Sequence, residues 1–135
     1  MEIIIAAPQS DSHVVAISLI NDFLELIGVK THYLGACCSV DRMAECLSQN
    51  KGVTHIVISA ANGHAVADLQ GLTELKAKYP VQVFLGGKVD LSSGDSAEAC
   101  YKKIKGVDKY FGDIQALTHH FSCLCEQEAN LCKSL

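Results

Sequence analysis

The sequence predicts an α/β fold in three layers, with helices on both faces of a doubly wound, parallel, five-stranded sheet. Two observations support this prediction. Apolar runs typical of strands alternate five times with helical patterns along 135 residues, without an internal repeat or a low-complexity linker. The first and third of these runs are nearly continuous isoleucine, valine and alanine, which is typical of strands that are buried on both faces.

The strands follow from short apolar runs that are bounded by turn-forming residues. Because the first and third runs are the most apolar, we expect them near the centre of the sheet. The flavodoxin-like strand order 2-1-3-4-5 meets this condition and obeys the rule of right-handed crossovers. In chain order, the predicted strands are Ile3–Ala7, Lys30–Leu34, His55–Ala60, Val81–Gly86 and Lys109–Phe111.

The helices follow from apolar residues at helical spacing between these strands. Gly28 is placed to end the first helix, Ser39 to cap the second and Pro80 to stop the third. In chain order, the predicted helices are Val14–Ile27, Val40–Gln49, Val66–Lys78, Ser96–Lys105 and Ile114–Cys132.

Composition limits the class of protein. With 49% hydrophobic and 19% charged residues, the chain is too apolar for disorder, and its apolar stretches are much shorter than the roughly 20 residues of a membrane span. A net charge of −4, without a Lys/Arg stripe, argues against nucleic acid as a partner. Since no export signal precedes the first strand, we expect one cytoplasmic domain over residues 1–135, with its seven cysteines as reduced thiols.

The predicted strand order places the topological switch between the first and third strands, where ligands bind at the carboxyl ends of strands. The loop after the first strand contains Asp11 and His13. In an extended loop, side chains at i and i+2 point the same way, so Asp11 can accept the Nδ1 hydrogen of His13. That contact leaves Nε2 free to bind a metal.

Small residues follow the neighbouring strands. The third strand ends in Ser59-Ala60-Ala61-Asn62-Gly63, and the fourth ends in Gly86-Gly87. Missing side-chain volume at two adjacent strand ends predicts a slot that admits a flat group. The alternative is that these glycines only serve tight turns.

These motifs resemble those of cobalamin-binding domains, and most closely those of the small subunit of glutamate mutase (methylaspartate mutase). The family pattern is D-x-H-x-x-G, then S-x-L or S-x-T with a following glycine, then G-G, each at a strand end. The resemblance covers about residues 3–117. Ala16 stands where the family has glycine, and Ala61 stands where the family has a larger residue.

The resemblance implies a Rossmann-like cobalamin-binding domain. In it, His13 would be the lower axial ligand of cobalt and Asp11 would orient it, while Ser59 would hydrogen-bond the displaced nucleotide tail inside the slot. The loop around Gly112 would close the far side. The implied cofactor-binding residues are Ser10, Asp11, Ser12, His13, Val14, Val15, Ser59, Ala60, Ala61, Gly63, Gly86, Gly87 and Gly112, and no residue of this chain would be catalytic.

By the same resemblance, the expected function is that of the cobalamin-binding small subunit of an adenosylcobalamin-dependent carbon-skeleton mutase. The expected reaction is the radical rearrangement of L-glutamate to 3-methylaspartate, an intramolecular-transfer isomerase activity. A large TIM-barrel subunit of about 250 residues would supply the substrate cavity. This chain would be inactive without that partner.

Two other interpretations of the resemblance stay open. One is a corrinoid carrier in methyl transfer; such proteins usually place a helical bundle before D-x-H, and the few residues that precede Asp11 favour the mutase. The other is a degenerate homologue without cofactor, which Ala16 and Ala61 suggest.

Other sites and other uses of the fold fit less well. Neither a phosphoreceiver nor a flavodoxin matches the loops at Pro8-Gln9 and Asn62-Gly63, and the spacing of Cys37–Arg42 is too short for a small phosphatase. A soft-metal site on the last helix is conceivable. Its candidate ligands are His119, His120, Cys123, Cys125 and Cys132, although buried thiols with solvated histidines are the favoured interpretation because no C-x-x-C pair is present.

Overall fold

The computed structural model describes residues 1–88, 99 and 101–134, with the main chain only at position 134. These residues form a five-stranded sheet in the order β2-β1-β3-β4-β5, in which every neighbouring pair is parallel, so the predicted fold class is confirmed. The strands are β1 (Glu2–Pro8), β2 (Lys30–Cys38), β3 (Val53–Ala60), β4 (Gln82–Gly87) and β5 (Lys109–Phe111). The helices are α1 (Val15–Leu26), α2 (Val40–Gln49), α3 (Ala65–Asp68), α4 (Leu72–Lys78) and α5 (Ile114–Ser134).

The two faces of the sheet bury separate hydrophobic cores. Side chains from α2, α3 and α4 pack with alternate residues of β1, such as Ile4, and side chains from α1 and α5 pack on the opposite face with Ile3 and Ile5. These three isoleucines have no exposed surface. The strand is therefore buried on both faces, as its continuous apolar sequence predicts.

The predicted helix Val66–Lys78 is wrong as a single element, because the structure has two short helices there. Gly71 lies between them with a φ of +97°, a conformation that a continuing right-handed helix cannot contain. The break separates α3, which ends at Asp68, from α4.

Two other predicted elements end more than two residues from their predicted ends, whereas the remaining bounds within the described residues differ by at most two residues. Strand β2 continues to Cys38, beyond the predicted end at Leu34, and its pairing with β1 shifts register near its end. Of the predicted helix Ser96–Lys105, residues 96–98 and 100 lie outside the described residues, whereas Ala99 and Tyr101 are helical and 102–106 form turns. The helix therefore ends earlier than predicted, before the turn at Gly106, which has a φ of +98°.

The helix-end signals act where they were expected. The Oγ of Ser39 accepts the Arg42 N–H at 3.1 Å at the start of α2. Gly28, with a φ of +89°, follows α1 and donates its N–H to the Glu25 carbonyl at 3.0 Å. Helix α4 ends at Lys78, before Pro80. Within the described part of the chain, no helix combines the length and the apolar character that crossing a membrane requires.

Candidate functional site

The candidate site lies at the carboxyl ends of β1, β3 and β4. Asp11 lies in the loop between β1 and α1, and its side chain has no exposed surface. Its main chain is held on both sides, because its N–H donates to the Pro8 carbonyl at 2.9 Å and its carbonyl accepts the Cys37 N–H at 2.9 Å. We call residues 9–14, which carry the candidate ligand His13, the ligand loop; it is thus fixed between β1 and the end of β2.

Both carboxylate oxygens of Asp11 are occupied by hydrogen bonds. Oδ2 accepts the Ala61 N–H at 2.6 Å and the Asn62 N–H at 3.1 Å, both from the turn after β3. Oδ1 accepts the His13 N–H at 3.0 Å and contacts His13 Nδ1 at 2.7 Å. Asp11 therefore joins two loops and orients the imidazole, which is the contact that the i, i+2 spacing predicts.

The pKa of Asp11 reflects two opposing effects. Burial acts to raise the pKa of this carboxyl, but the hydrogen bonds from Ala61, His13 and Asn62 outweigh it, and the net shift is downward. The side chain is accordingly a carboxylate at neutral pH. A carboxylate next to Nδ1 favours the tautomer with its proton on Nδ1 and a lone pair on Nε2.

His13 presents this imidazole outward, with 65% of its side-chain surface exposed. Its Nε2 makes no hydrogen bond to any of the described residues. An oriented, accessible imidazole nitrogen is the chemical group that a cobalt, zinc or iron ion would bind. The neighbouring Ser12, Val14 and Val15 are also exposed beside it.

A slot of about 170 Å³ opens beside this loop, between the sheet and helices α1 and α5. Four of the predicted residues line it, namely Ser59, Gly86, Gly87 and Gly112. The other lining residues are largely apolar: Ala16, Ile20, Val57, Ile58, Phe84, Leu85, Phe111, Asp113, Ile114 and Leu117.

Three predicted slot residues lie elsewhere. The side chain of Ala60 is buried in the core on the opposite face of the sheet, so any contact with a ligand would fall to its main chain. Ala61 instead supports Asp11 through its N–H, and Gly63 forms the turn that follows with a φ of +80°. Ala16 borders the slot, which places this departure from the family pattern on the wall of the cavity.

The three glycines around the slot differ in whether the structure requires a glycine at that position. A Cβ at Gly87 would lie 1.9 Å from the Ala60 carbonyl oxygen, and its φ is +90°, so the backbone itself requires glycine. At Gly86 the nearest atom, the Phe111 carbonyl oxygen, would lie 3.2 Å away. A Cβ at Gly112 would meet no atom within 4 Å, so packing among the described residues does not require a glycine there.

A second group of polar residues joins the site, and two of its members, Asn62 and Asp68, are not among the predicted site residues. Asp68, at the end of α3, accepts both the N–H and the Oγ–H of Ser10 on one carboxylate oxygen, at 3.0 and 2.5 Å. The Asn62 side chain donates to the Ser10 carbonyl at 3.0 Å and to its Oγ at 3.1 Å, and accepts the His64 N–H at 3.1 Å. Ser10 therefore connects the ligand loop to α3.

The C-terminal helix does not assemble a metal site among the described residues. His119 Nε2 lies 3.6 Å from Cys123 Sγ, but no three His, Cys, Asp or Glu side chains of the described residues converge. The pair alone is too small a ligand set for a structural metal.

No family model matches this sequence, and no curated protein matches it either. Among solved structures, the fold is similar to a cobalamin-binding protein from Desulfitobacterium hafniense DCB-2, with a TM-score of 0.69 and 16% identity over 93% of this chain and 57% of that one. It is also similar to the methanol:cobalamin methyltransferase complex from Methanosarcina barkeri, with a TM-score of 0.67 and 9% identity over 93% of this chain and 46% of that one. This chain spans about half the length of these two neighbours.

The same fold occurs in a different class. A signal receiver domain of an HD domain-containing protein from Pseudomonas fluorescens Pf-5 matches with a TM-score of 0.58 and 18% identity, over 96% of this chain and 97% of that one. Likeness at these identities shows the fold alone. The chain thus has the flavodoxin-like fold that cobalamin-binding domains use, and its function has to be argued from the residues of the site.

Proposed function

We propose that this chain is a single domain that binds a cobalamin, with His13 as the lower axial ligand of cobalt. The observation that carries the proposal is the 2.7 Å contact between Asp11 and His13 Nδ1, which leaves Nε2 accessible at the carboxyl edge of the sheet. A histidine that ligates a metal through one nitrogen and is oriented by a carboxylate on the other is a common arrangement in metalloproteins.

The slot beside His13 fits the nucleotide tail that such a ligand would displace. It is a narrow, mostly apolar cavity with the hydroxyl-bearing Ser59 on its wall, and it offers open space at Gly112 where a side chain would otherwise project. A flat aromatic base needs this combination of apolar walls and a single polar group. The chemistry of the reaction would come from the bound cofactor, while this chain binds and orients it.

A receiver function is not supported by the same residues. A phosphoreceiver needs carboxylates that are free to hold a metal and to accept a phosphoryl group. The buried Asp11 has both oxygens engaged in hydrogen bonds, and alanines stand at positions 60 and 61 where β3 ends. The fold is shared, but the receiver chemistry is missing from these positions.

For the role of the loaded chain, we propose the cobalamin-binding subunit of an adenosylcobalamin-dependent mutase of the glutamate mutase type. A large TIM-barrel subunit would then face the cofactor and supply the substrate cavity. The exposed loop around His13, with Val14 at 45% and Val15 at 73% exposure, leaves this face open for cofactor and partner.

A corrinoid carrier in methyl transfer is a second candidate with about equal support. It is favoured by the similarity to the methanol:cobalamin methyltransferase complex, whose name joins cobalamin to a methyltransferase partner. The site around His13 serves both roles, since each requires a histidine-ligated cobalamin with an accessible upper face.

Spin resonance of the chain with cob(II)alamin tests the binding proposal. With histidine labelled by ¹⁵N, coordination by His13 changes the nitrogen splitting of the cobalt lines from triplets to doublets, whereas the cofactor's own base would leave triplets. The His13→Ala variant should lose this signal, and His64→Ala, which removes another exposed imidazole at the same edge, should keep it. Triplets in the labelled wild-type complex, or doublets that persist in His13→Ala, would refute the assignment.

An experiment with two different partner proteins distinguishes the mutase role from the carrier role. The chain loaded with adenosylcobalamin is mixed with a glutamate mutase large subunit, and complex formation and methylaspartate production are measured. Activity that depends on this chain supports the mutase. Transfer of the methyl group from the methylcobalamin-loaded chain to a thiolate acceptor, catalysed by an added corrinoid methyltransferase and leaving cob(I)alamin, without mutase activity, supports the carrier.

A further inference from the structure

Besides the main-chain bonds of Asp11 to Pro8 and Cys37, side-chain carboxylates attach the ligand loop to the rest of the protein at two places. Asp11 attaches it to the turn after β3 through main-chain N–H groups. Ser10 attaches it to α3, because Asp68 receives two hydrogen bonds from this one residue. The second attachment lies immediately before Asp11 in the chain, so it restricts the backbone that carries the Asp11–His13 pair.

We propose that Asp68 is a positioning residue that holds the loop of His13 ready for the cofactor. Asp68 does not contact His13; it acts through Ser10 and Asn62. The Asn62 main chain donates to Asp11, while its side chain donates twice to Ser10. The network from Asp68 therefore reaches the oriented imidazole through two paths, one along the loop and one through Asn62.

The separation of α3 from α4 serves this contact. Asp68 is the last residue of a four-residue helix, and the left-handed Gly71 lets α4 start in another direction. The Asn62–Ser10–Asp68 hydrogen bonds bridge more than 50 positions of sequence, and they join two loops to the last residue of α3. Such contacts contribute by restricting loop conformations before a ligand arrives.

The inference rests on the proposed binding of cobalamin for its functional meaning. If only the ordered loop binds, the apparent dissociation constant equals the intrinsic one divided by the ordered fraction. At the ordinary net value of a hydrogen bond, the loss of each Asp68 contact corresponds to a roughly three- to tenfold change in the equilibrium constant between the ordered and the disordered loop, and the ordered fraction falls accordingly. The rise in the cobalamin dissociation constant should match the fall in the ordered fraction.

The test measures both quantities in the full chain. Nitrogen NMR of the cofactor-free protein at fixed pH reports the tautomer and the order of the His13 ring. Cobalamin titration then gives the dissociation constant. The variants are Asp68→Ala, which removes the acceptor, Asp68→Asn, which keeps an acceptor oxygen for Ser10, and Asp22→Ala, which removes an exposed carboxylate in the middle of α1 as a control.

We expect Asp68→Ala to reduce the Nδ1-protonated, ordered form of His13 and to weaken cobalamin binding by the same factor, with Asp68→Asn and Asp22→Ala close to wild type. If Asp68→Ala does not fold, Ser10→Ala, which removes only the Oγ contacts, replaces it. Unchanged His13 resonances in the folded variant would overturn the proposal. An ordered His13 that depends on Asp68 in a protein that binds no cobalamin would support the positioning role and refute the proposed function.

Discussion

Replacement of Asp11 by asparagine changes one carboxylate oxygen into an amide nitrogen at a fully buried position. In the wild type, each oxygen accepts two hydrogen bonds, one pair from His13 and one pair from Ala61 and Asn62. The asparagine oxygen can serve only one pair. Whichever way the amide turns, its NH₂ group faces the N–H donors of the other pair.

The expected loss of stability follows from the number of hydrogen bonds that the asparagine cannot accept. A hydrogen bond to a charged acceptor contributes about 1.5–3 kcal/mol, and two of them are lost, so we expect the free energy of unfolding to fall by about 3 kcal/mol, at the low end of the range because the loop can relax. That is a large part of the stability of an ordinary domain, but it leaves most of the protein folded. His13 loses its fixed orientation when the amide turns its NH₂ towards it.

Urea unfolding followed by circular dichroism measures this effect. With an m-value of about 2 kcal/mol per molar, the midpoint should fall by about 1.5 M. The Asp22→Asn variant, exposed on α1, is the control and should unfold like the wild type. A midpoint for Asp11→Asn within experimental error of wild type would refute the view that these four contacts hold the loop.

The same pair of proteins gives a pH signature. The folded pKa of Asp11 lies below its ordinary value because the hydrogen bonds outweigh the effect of burial. The stabilisation is therefore complete above the unfolded pKa of about 3.9 and is lost as the pH falls through the lower folded value. The contribution of the Asp11 carboxylate to the difference between wild type and Asp11→Asn should be complete above about pH 5 and should shrink as the pH falls below about pH 4.

Three further substitutions give distinct outcomes. Gly87→Ala should destabilise the fold by at least ~2 kcal/mol in urea unfolding, because its Cβ would meet the Ala60 carbonyl and its φ is positive; a loss below ~0.5 kcal/mol would contradict this. Gly112→Leu should leave the unfolding midpoint unchanged but weaken cobalamin binding at least about tenfold, since Gly112 lines the slot and an added side chain there meets no described atom within 4 Å of its Cβ; unchanged affinity would contradict the entry of the tail beside Gly112. Burial, and next the charge of His120, lower the pKa of His55 and favour its neutral form, so the wild type should lose stability as the pH falls below about 6.5. The His55→Phe variant should show a smaller loss over the same pH range. Parallel pH–stability curves for the two proteins would exclude a contribution of His55.

The strand order could be predicted because the signal is carried by many residues. Continuous apolar sequence at Ile3–Ala7 and His55–Ala60 separates central strands from edge strands, and right-handed crossovers leave few arrangements. The split of the third helix was missed because Gly71 within an otherwise regular pattern only weakens a helix, whereas its positive φ is set by tertiary packing. The extension of β2 was missed because Gly35, with a φ of +80°, looks like the end of a strand in sequence.

The candidate site likewise contains some contacts that the sequence predicts and others that it does not. The Asp11–His13 contact could be predicted because it depends on two side chains at a fixed spacing. The hydrogen bonds from the N–H groups of Ala61 and Asn62 could not be predicted, because every residue except proline supplies a main-chain donor. Asp68 is one of many acidic residues in the sequence, and only the path of α3 brings it to Ser10.

The two carboxylate oxygens of Asp11 accept hydrogen bonds from two different loops, and this has a consequence for how the site can change. The imidazole is fixed to the sheet through the turn after β3, whereas Ala16 and Ile20 of α1 form one wall of the slot. Helix α1 begins without a side-chain capping bond from Val14, the residue before it. Different residues therefore set the width of the slot and the direction of the imidazole: a substitution at Ala16 changes the wall of the slot without removing a hydrogen bond that orients His13.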